Sequence, residues 1–294
     1  MGERGAPLLI LGSVLSIQFG QALGKDLFGA VGPCGVVALR LGIAAMLMLL
    51  MYRPTPPRRR SEWALILGFG TAIAGMNVIY LALGHLPLGL AIALQLLGPI
   101  TLAVLTSRRL LDLALALLAG FGVWLFHVPG SATTSVAGVL PALLSGAAMA
   151  AYLLLSKQAG ARSAGGSPLA LALCWAALLA VPLGIAESGP ALLNPAIVGQ
   201  GALVAVLSAV LPYSLELAAL RRMSPRTVGI LQSLEPAIAG LAGTLILHEV
   251  LNPWQWMALA CVGVASAGTV TGGQRADRSV GDRRRGPGGA GGRI

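Results

Sequence analysis

Apolar runs of 18 or more residues recur from one end of this 294-residue chain to the other, and they dominate what it can fold into. Wound as a helix at about 1.5 Å per residue, such a run crosses a hydrocarbon core roughly 30 Å thick. Inside lipid no water is available to the backbone, so a spanning segment must satisfy its own N–H and C=O groups, and a helix does so. Hydrophobic residues make up 56% of the chain and charged residues 10%, where a soluble domain carries about 25% charged. The sequence therefore reads as an all-α integral membrane protein and excludes an ordinary soluble one.

Ten segments read as transmembrane helices: 7–24, 34–52, 63–84, 88–106, 110–127, 136–156, 168–185, 198–220, 227–247 and 253–271. The first is read as a retained span rather than a cleaved leader, because it lacks a strongly basic start and carries Gln18 and Gln21 inside. With the N-terminus in the cytoplasm, eighteen of the twenty Lys and Arg fall on inner loops and the C-terminal tail. Lys25 falls outside and Arg40 within a span. Lys and Arg that flank spans are retained on the cytoplasmic side, so the split supports ten spans and two cytoplasmic termini. The net charge of +10 then marks topology, and a nucleic-acid partner, which needs one basic face, is not expected. Residues 272–294, rich in Arg and Gly, read as a disordered basic cytoplasmic tail free to touch anionic lipid.

The chain also repeats itself. Leu94-Gln95-Leu96-Leu97-Gly98-Pro99 matches Leu231-Gln232-Ser233-Leu234-Glu235-Pro236 at an offset of 137, which also carries Asp112 onto Glu249. Two five-helix repeats follow, 1–128 and 133–271. Five is odd, so the second must be inverted relative to the first. Inverted repeats are a transporter signature, with the binding site near the midplane where the halves meet.

Motifs of soluble chemistry fail on inspection. Gly20 to Asp26 has one residue too few between its glycines for a phosphate loop, and Asn252 stands where a zinc helix beginning His248-Glu249 needs a second His. Cys34, Cys174 and Cys261 are scattered and odd in number, so neither a disulfide framework nor a metal cluster is expected. No cofactor and no metal are expected.

Charges inside spans are the informative feature, since each costs about 2.5–3.5 kcal/mol to insert and usually faces a polar cavity. Three stand out: Arg40, Glu216 and Glu235. Glu235 is ~12 Å deep in its helix, either as a functional acid or as a structural partner for a neighbouring helix. Glu216 lies ~6 Å from the inner end, where function competes with snorkelling or pairing to Arg221. Arg40, ~9 Å below the outer face, has a fork suited to a substrate carboxylate or to a permanent glutamate partner. Gln95, Asn77, Gln18 and Gln21 are uncharged polar groups able to line the same cavity or to bond between helices. Pro99 and Pro236, equivalent in the two halves, read as hinges.

Four stretches carry a family resemblance: Ser16-Ile17-Gln18 with Lys25 and Leu27-Phe28; Gly35-Val36 and Ala38-Leu39-Arg40-Leu41; Pro87-Leu88-Gly89 through Gly98-Pro99 to Ser107-Arg108-Arg109; and Leu211-Pro212-Tyr213-Ser214-Leu215-Glu216 continuing to Arg226-Thr227 and Glu235-Pro236. With them the span region resembles the drug/metabolite transporter superfamily of the EamA type, and within it the bacterial threonine/homoserine exporters. The resemblance implies a secondary exporter of small amino acids or related metabolites in the bacterial cytoplasmic (inner) membrane, driven by the proton gradient. It implies no enzymatic activity, and a homodimer is compatible with it. Arg40, Glu216 and Glu235 fall on matching positions. Gln95 replaces the Glu that the resemblance leads one to expect, so export of another metabolite, a drug or a cation stays open.

Overall fold

The computed structural model describes residues 6–57, 59–106, 110–125, 135–162, 166–220, 222 and 225–284. Among these the regular structure is helical: α1 (Ala6–Asp26), α2 (Phe28–Tyr52), α3 (Arg60–Met76), α4 (Ile79–Leu83), α5 (Leu88–Thr106), α6 (Leu110–Leu125), α7 (Val136–Arg162) and α8 (Ser167–Ser188) come first. A 3-10 turn (Gly189–Leu193) follows, then α9 (Pro195–Ala205), a π-helical segment (Val206–Val210), α10 (Leu211–Leu220), α11 (Pro225–Gln232), α12 (Glu235–Ile246) and α13 (Pro253–Arg284). Eight helical stretches are long and apolar enough to cross a membrane, and Leu110–Leu125 is a shorter apolar helix. The chain is a multi-pass membrane protein.

Several boundaries differ from the hydropathy reading. The second helix starts at Phe28, because Gly32 adopts a left-handed φ of 65° and Pro33 restarts the helix beyond it. The last helix runs to Arg284, into the stretch expected to be disordered from residue 272. Once a helix is nucleated, each further residue adds a bond at little cost, and polar Gln, Arg, Asp and Ser allow it. Residues 285–294 lie outside the described residues.

The two equivalent prolines, expected as hinges, stand in different surroundings. Pro236 occupies the first turn of α12, just after a break at Ser233–Leu234. Pro99 lies inside the unbroken α5. It cannot donate to the Gln95 carbonyl four residues earlier, but α7 lies against that carbonyl through Gly146. A side chain on Gly146 would meet the oxygen at 2.6 Å, and one on Gly98 would collide with the Gly146 carbonyl. Close backbone contact with α7 holds the α5 helix through its proline.

Packing between distant elements is reciprocal. Helix α1 packs on α10, α11 and α12, while α7 packs on α3, α4 and α5; α2 lies along α8, and α6 along α13. The largest core cluster is built on α5, and a second one joins α2, α3 and α8.

Candidate functional site

The middle of the molecule is organised around two interruptions. Helix α3 ends at Met76 and α4 begins at Ile79, which leaves Asn77 at a bend. Opposite, the helix that starts at Pro195 widens into the π-helical segment Val206–Val210. Pro212 explains part of the second: it offers no N–H to the Ser208 carbonyl four residues back.

Arg40 of α2 reaches between them and is only 5% exposed. Its Nε donates to Ser208 Oγ at 2.6 Å and Nη2 to the Ser208 carbonyl at 2.7 Å. Nη1 donates to Asn77 Oδ1, and Asn77 Nδ2 in turn donates to the Ile73 carbonyl at 2.8 Å. The guanidinium carbon stands 5.6 Å from the centre of the Tyr80 ring, within cation–π range. Among the described residues no carboxylate lies within 4 Å of Arg40; the ion pair found between them joins Lys25 and Glu249. Arg40 thus bridges Asn77, after α3, and Ser208 of the π-helical segment, and among the described residues it has no glutamate partner.

Glu216 and Glu235 come together. Glu216 of α10 is a charged neighbour of Glu235, which sits in the first turn of α12, and Gln232 hydrogen bonds Glu216. A carboxylate in the first helical turn also gains from the helix dipole. Tyr213 has Arg40, Tyr80 and Glu216 as electrostatic neighbours, and Tyr152 has Tyr213 and Glu216. The Tyr152 ring stacks on Phe69 at 5.2 Å. Three of the four tyrosines in the chain thus lie near these charges, Tyr80 and Tyr213 near Arg40 and Tyr152 and Tyr213 near Glu216.

The amides divide. Gln95 Nε2 donates to Ser145 Oγ at 2.6 Å and approaches the Met76 carbonyl at 3.4 Å, while Ser145 Oγ donates to that carbonyl at 2.6 Å. It ties α5 to α7 and to the end of α3, at the residue just before Asn77. Gln232, which the sequence match aligns with Gln95, hydrogen bonds Glu216 of α10. Gln18 and Gln21 are buried in α1, and neither Oε1 has a hydrogen-bond partner among the described residues. An apolar cleft of about 300 Å³ between α2, α3 and α8 reaches Asn77 from the other side, past Cys34, Val37 and Thr71.

Sequence reasoning missed Ser208, Tyr80, Tyr152 and Tyr213. A signal existed for the first: Ser208 lies four residues before Pro212, and that spacing leaves a carbonyl free within a span.

The chain is 39% identical over 266 residues to the threonine/homoserine exporter RhtA of Escherichia coli strain K12, across 89% of this chain and 90% of that protein. It belongs to the EamA-like transporter family. The model of that family matches residues 136–271, the second half. RhtA of Salmonella typhimurium LT2 is also 39% identical over the same share of this chain. A solved crystal structure covers 91% of the chain and 98% of its own length at a TM-score of 0.60 and 20% identity, a likeness of fold.

Proposed function

We propose that this EamA-type transporter exports small amino acids of the threonine/homoserine kind across the bacterial inner membrane. It is a proton-coupled secondary carrier, with ten spans as two inverted five-helix halves. Both termini lie in the cytoplasm, on the side that the basic loops favour. The reciprocal packing of α1 and α7 supports the inverted repeat, because each half lends its first helix to the other's third and fourth.

The observation that carries the reading is that Tyr213 neighbours both Arg40 and Glu216, and that Glu216 in turn neighbours Glu235. An amino acid presents a carboxylate and an ammonium. In this proposal Arg40 meets the carboxylate with the donors it does not spend on Ser208 and Asn77, and Glu216 takes the ammonium. Glu235 carries the proton, since two adjacent carboxylates resist bearing two charges. Binding of the ammonium and of the proton at neighbouring acids links cargo to gradient. Gln18 and Gln21 offer unpaired acceptors on α1, and the restart at Pro236 gives Glu235 a movable base.

Transport by the purified chain in proteoliposomes tests this. Glu235→Gln is expected to keep threonine exchange and lose uptake driven by a pH gradient; unchanged gradient-driven uptake removes Glu235 from coupling.

A second reading, export of a cationic drug or metabolite, rests on the acid pair having no cation within 4 Å among the described residues. It expects cells expressing the chain to resist toxic cations and not threonine or homoserine analogues.

A further inference from the structure

We propose that Ser208 is a specificity-determining positioning residue: it takes the side edge of the Arg40 guanidinium and so fixes which donors remain for a substrate carboxylate. The inference rests on the reading that Arg40 meets that carboxylate. An arginine grips a carboxylate through two parallel N–H groups, and its Nε–Nη2 edge is one such fork. Here Ser208 occupies that edge with two atoms of one residue, Oγ at 2.6 Å from Nε and the carbonyl oxygen at 2.7 Å from Nη2. The serine mimics a bound carboxylate.

The backbone is built for this. In an ordinary helix the Ser208 carbonyl would accept the N–H four residues on, but that residue is Pro212, which has none. The segment Val206–Val210 is π-helical, and the Leu211 N–H reaches back five residues to Val206. Such segments are rare and concentrate at functional sites. The Ser208 hydroxyl donates to the Val204 carbonyl at 2.6 Å, which turns its lone pairs toward Arg40. Behind it α1 approaches through Gly20, where a Cβ would come within 2.8 Å of the Ser208 nitrogen. The serine cannot retreat, and neither can the guanidinium, because Asn77 holds Nη1 from the α3–α4 bend. What is left of Arg40 is a limited set of donors on its far end, aimed by Ser208 rather than by the substrate.

The test compares threonine with threonine amide, which keeps the ammonium and lacks the carboxylate. KM for threonine and the inhibition constant of the amide are measured in proteoliposomes of the full chain and of Ser208→Ala. Loss of a hydrogen bond to a charged group is expected to raise KM for threonine about tenfold and to leave the amide's constant unchanged; Ser208→Thr, which keeps the hydroxyl, recovers part of the difference. If both constants rise together, or neither moves, Ser208 only packs and the proposal falls. If the unaltered protein binds threonine and its amide equally well, it is the Arg40–carboxylate reading that fails, and this inference with it. Should Ser208→Ala not accumulate in membranes, Pro212→Ala asks the same question. It supplies an N–H that competes for the Ser208 carbonyl with every polar side chain intact, and the same pattern of constants is expected.

Discussion

Lys25 Nζ stands 2.7 Å from Glu249 Oε1, and the pair fastens three parts of the chain at once. The ammonium also donates to the Leu86 carbonyl at 2.8 Å, and Glu249 Oε2 accepts the Leu88 N–H at 2.9 Å. The end of α1, the start of α5 and the turn before α13 are thereby joined. Glu249 does two jobs, ion-pair partner and cap of a helix N-terminus. Exchanging the charges, Lys25→Glu with Glu249→Lys, is therefore expected not to restore what either single change loses, because a lysine cannot accept the Leu88 N–H. Lys25→Arg is expected to be tolerated. Lys25→Ala should cost about 1 kcal/mol, toward the low end for a group left without its partner, because both side chains are only partly buried. Melting in detergent measures all five variants, and full recovery by the exchange would leave the cap without weight.

The acid pair should behave as one unit. Neighbouring groups that share a charge give non-additive effects. Glu216→Gln and Glu235→Gln are each expected to lower gradient-driven transport sharply, and the double variant to be no worse than the more severe single. Multiplicative losses in proteoliposome rates would mean that the two carboxylates act separately.

Contact between α5 and α7 leaves no space for a methyl group at Gly146, which faces the Gln95 carbonyl that Pro99 leaves free. Gly146→Ala is expected to destabilise the protein by about 1–3 kcal/mol through overpacking, seen as a lower melting temperature and lower yield. Pro99→Ala restores the missing N–H and is expected to be neutral or stabilising. A loss of transport with stability retained in Pro99→Ala would give a hinge role to this proline.

Gln95→Glu places a carboxylate where the resemblance to threonine/homoserine exporters leads one to expect it. The surroundings here suit an amide: Gln95 donates to Ser145 Oγ, whose own proton goes to the Met76 carbonyl. A protonated glutamate can keep the donation and an ionised one cannot. The variant is expected to approach the parent's stability at low pH and to fall behind it as pH rises, by roughly 1–3 kcal/mol when ionised. Melting curves across pH check the sign; a deficit that shrinks as pH rises would mean that the carboxylate finds donors of its own.

Hydropathy and loop charge were sufficient to place the helices, and each expected span coincides with helical structure among the described residues. Breaks were less legible. Pro99 and Pro236 are equivalent in sequence, yet only Pro236 follows an interruption, since a proline's effect depends on what meets the carbonyl it orphans. For Pro99 that is Gly146 on another helix. The bend at Asn77 has no proline to announce it.

By itself the sequence determined that the chain enters lipid and which of its charges would be stranded there: Arg40, Glu216 and Glu235. Both follow from composition summed along a helix, a property each segment owns alone. The partners of those charges were decided only by tertiary structure. Arg40 is separated from Ser208 by 168 positions, and nothing local distinguishes an arginine that grips cargo from one that grips a serine carbonyl. A stranded charge in a low-dielectric interior takes the nearest donors or acceptors that packing offers, and the packing of the helices is a global property.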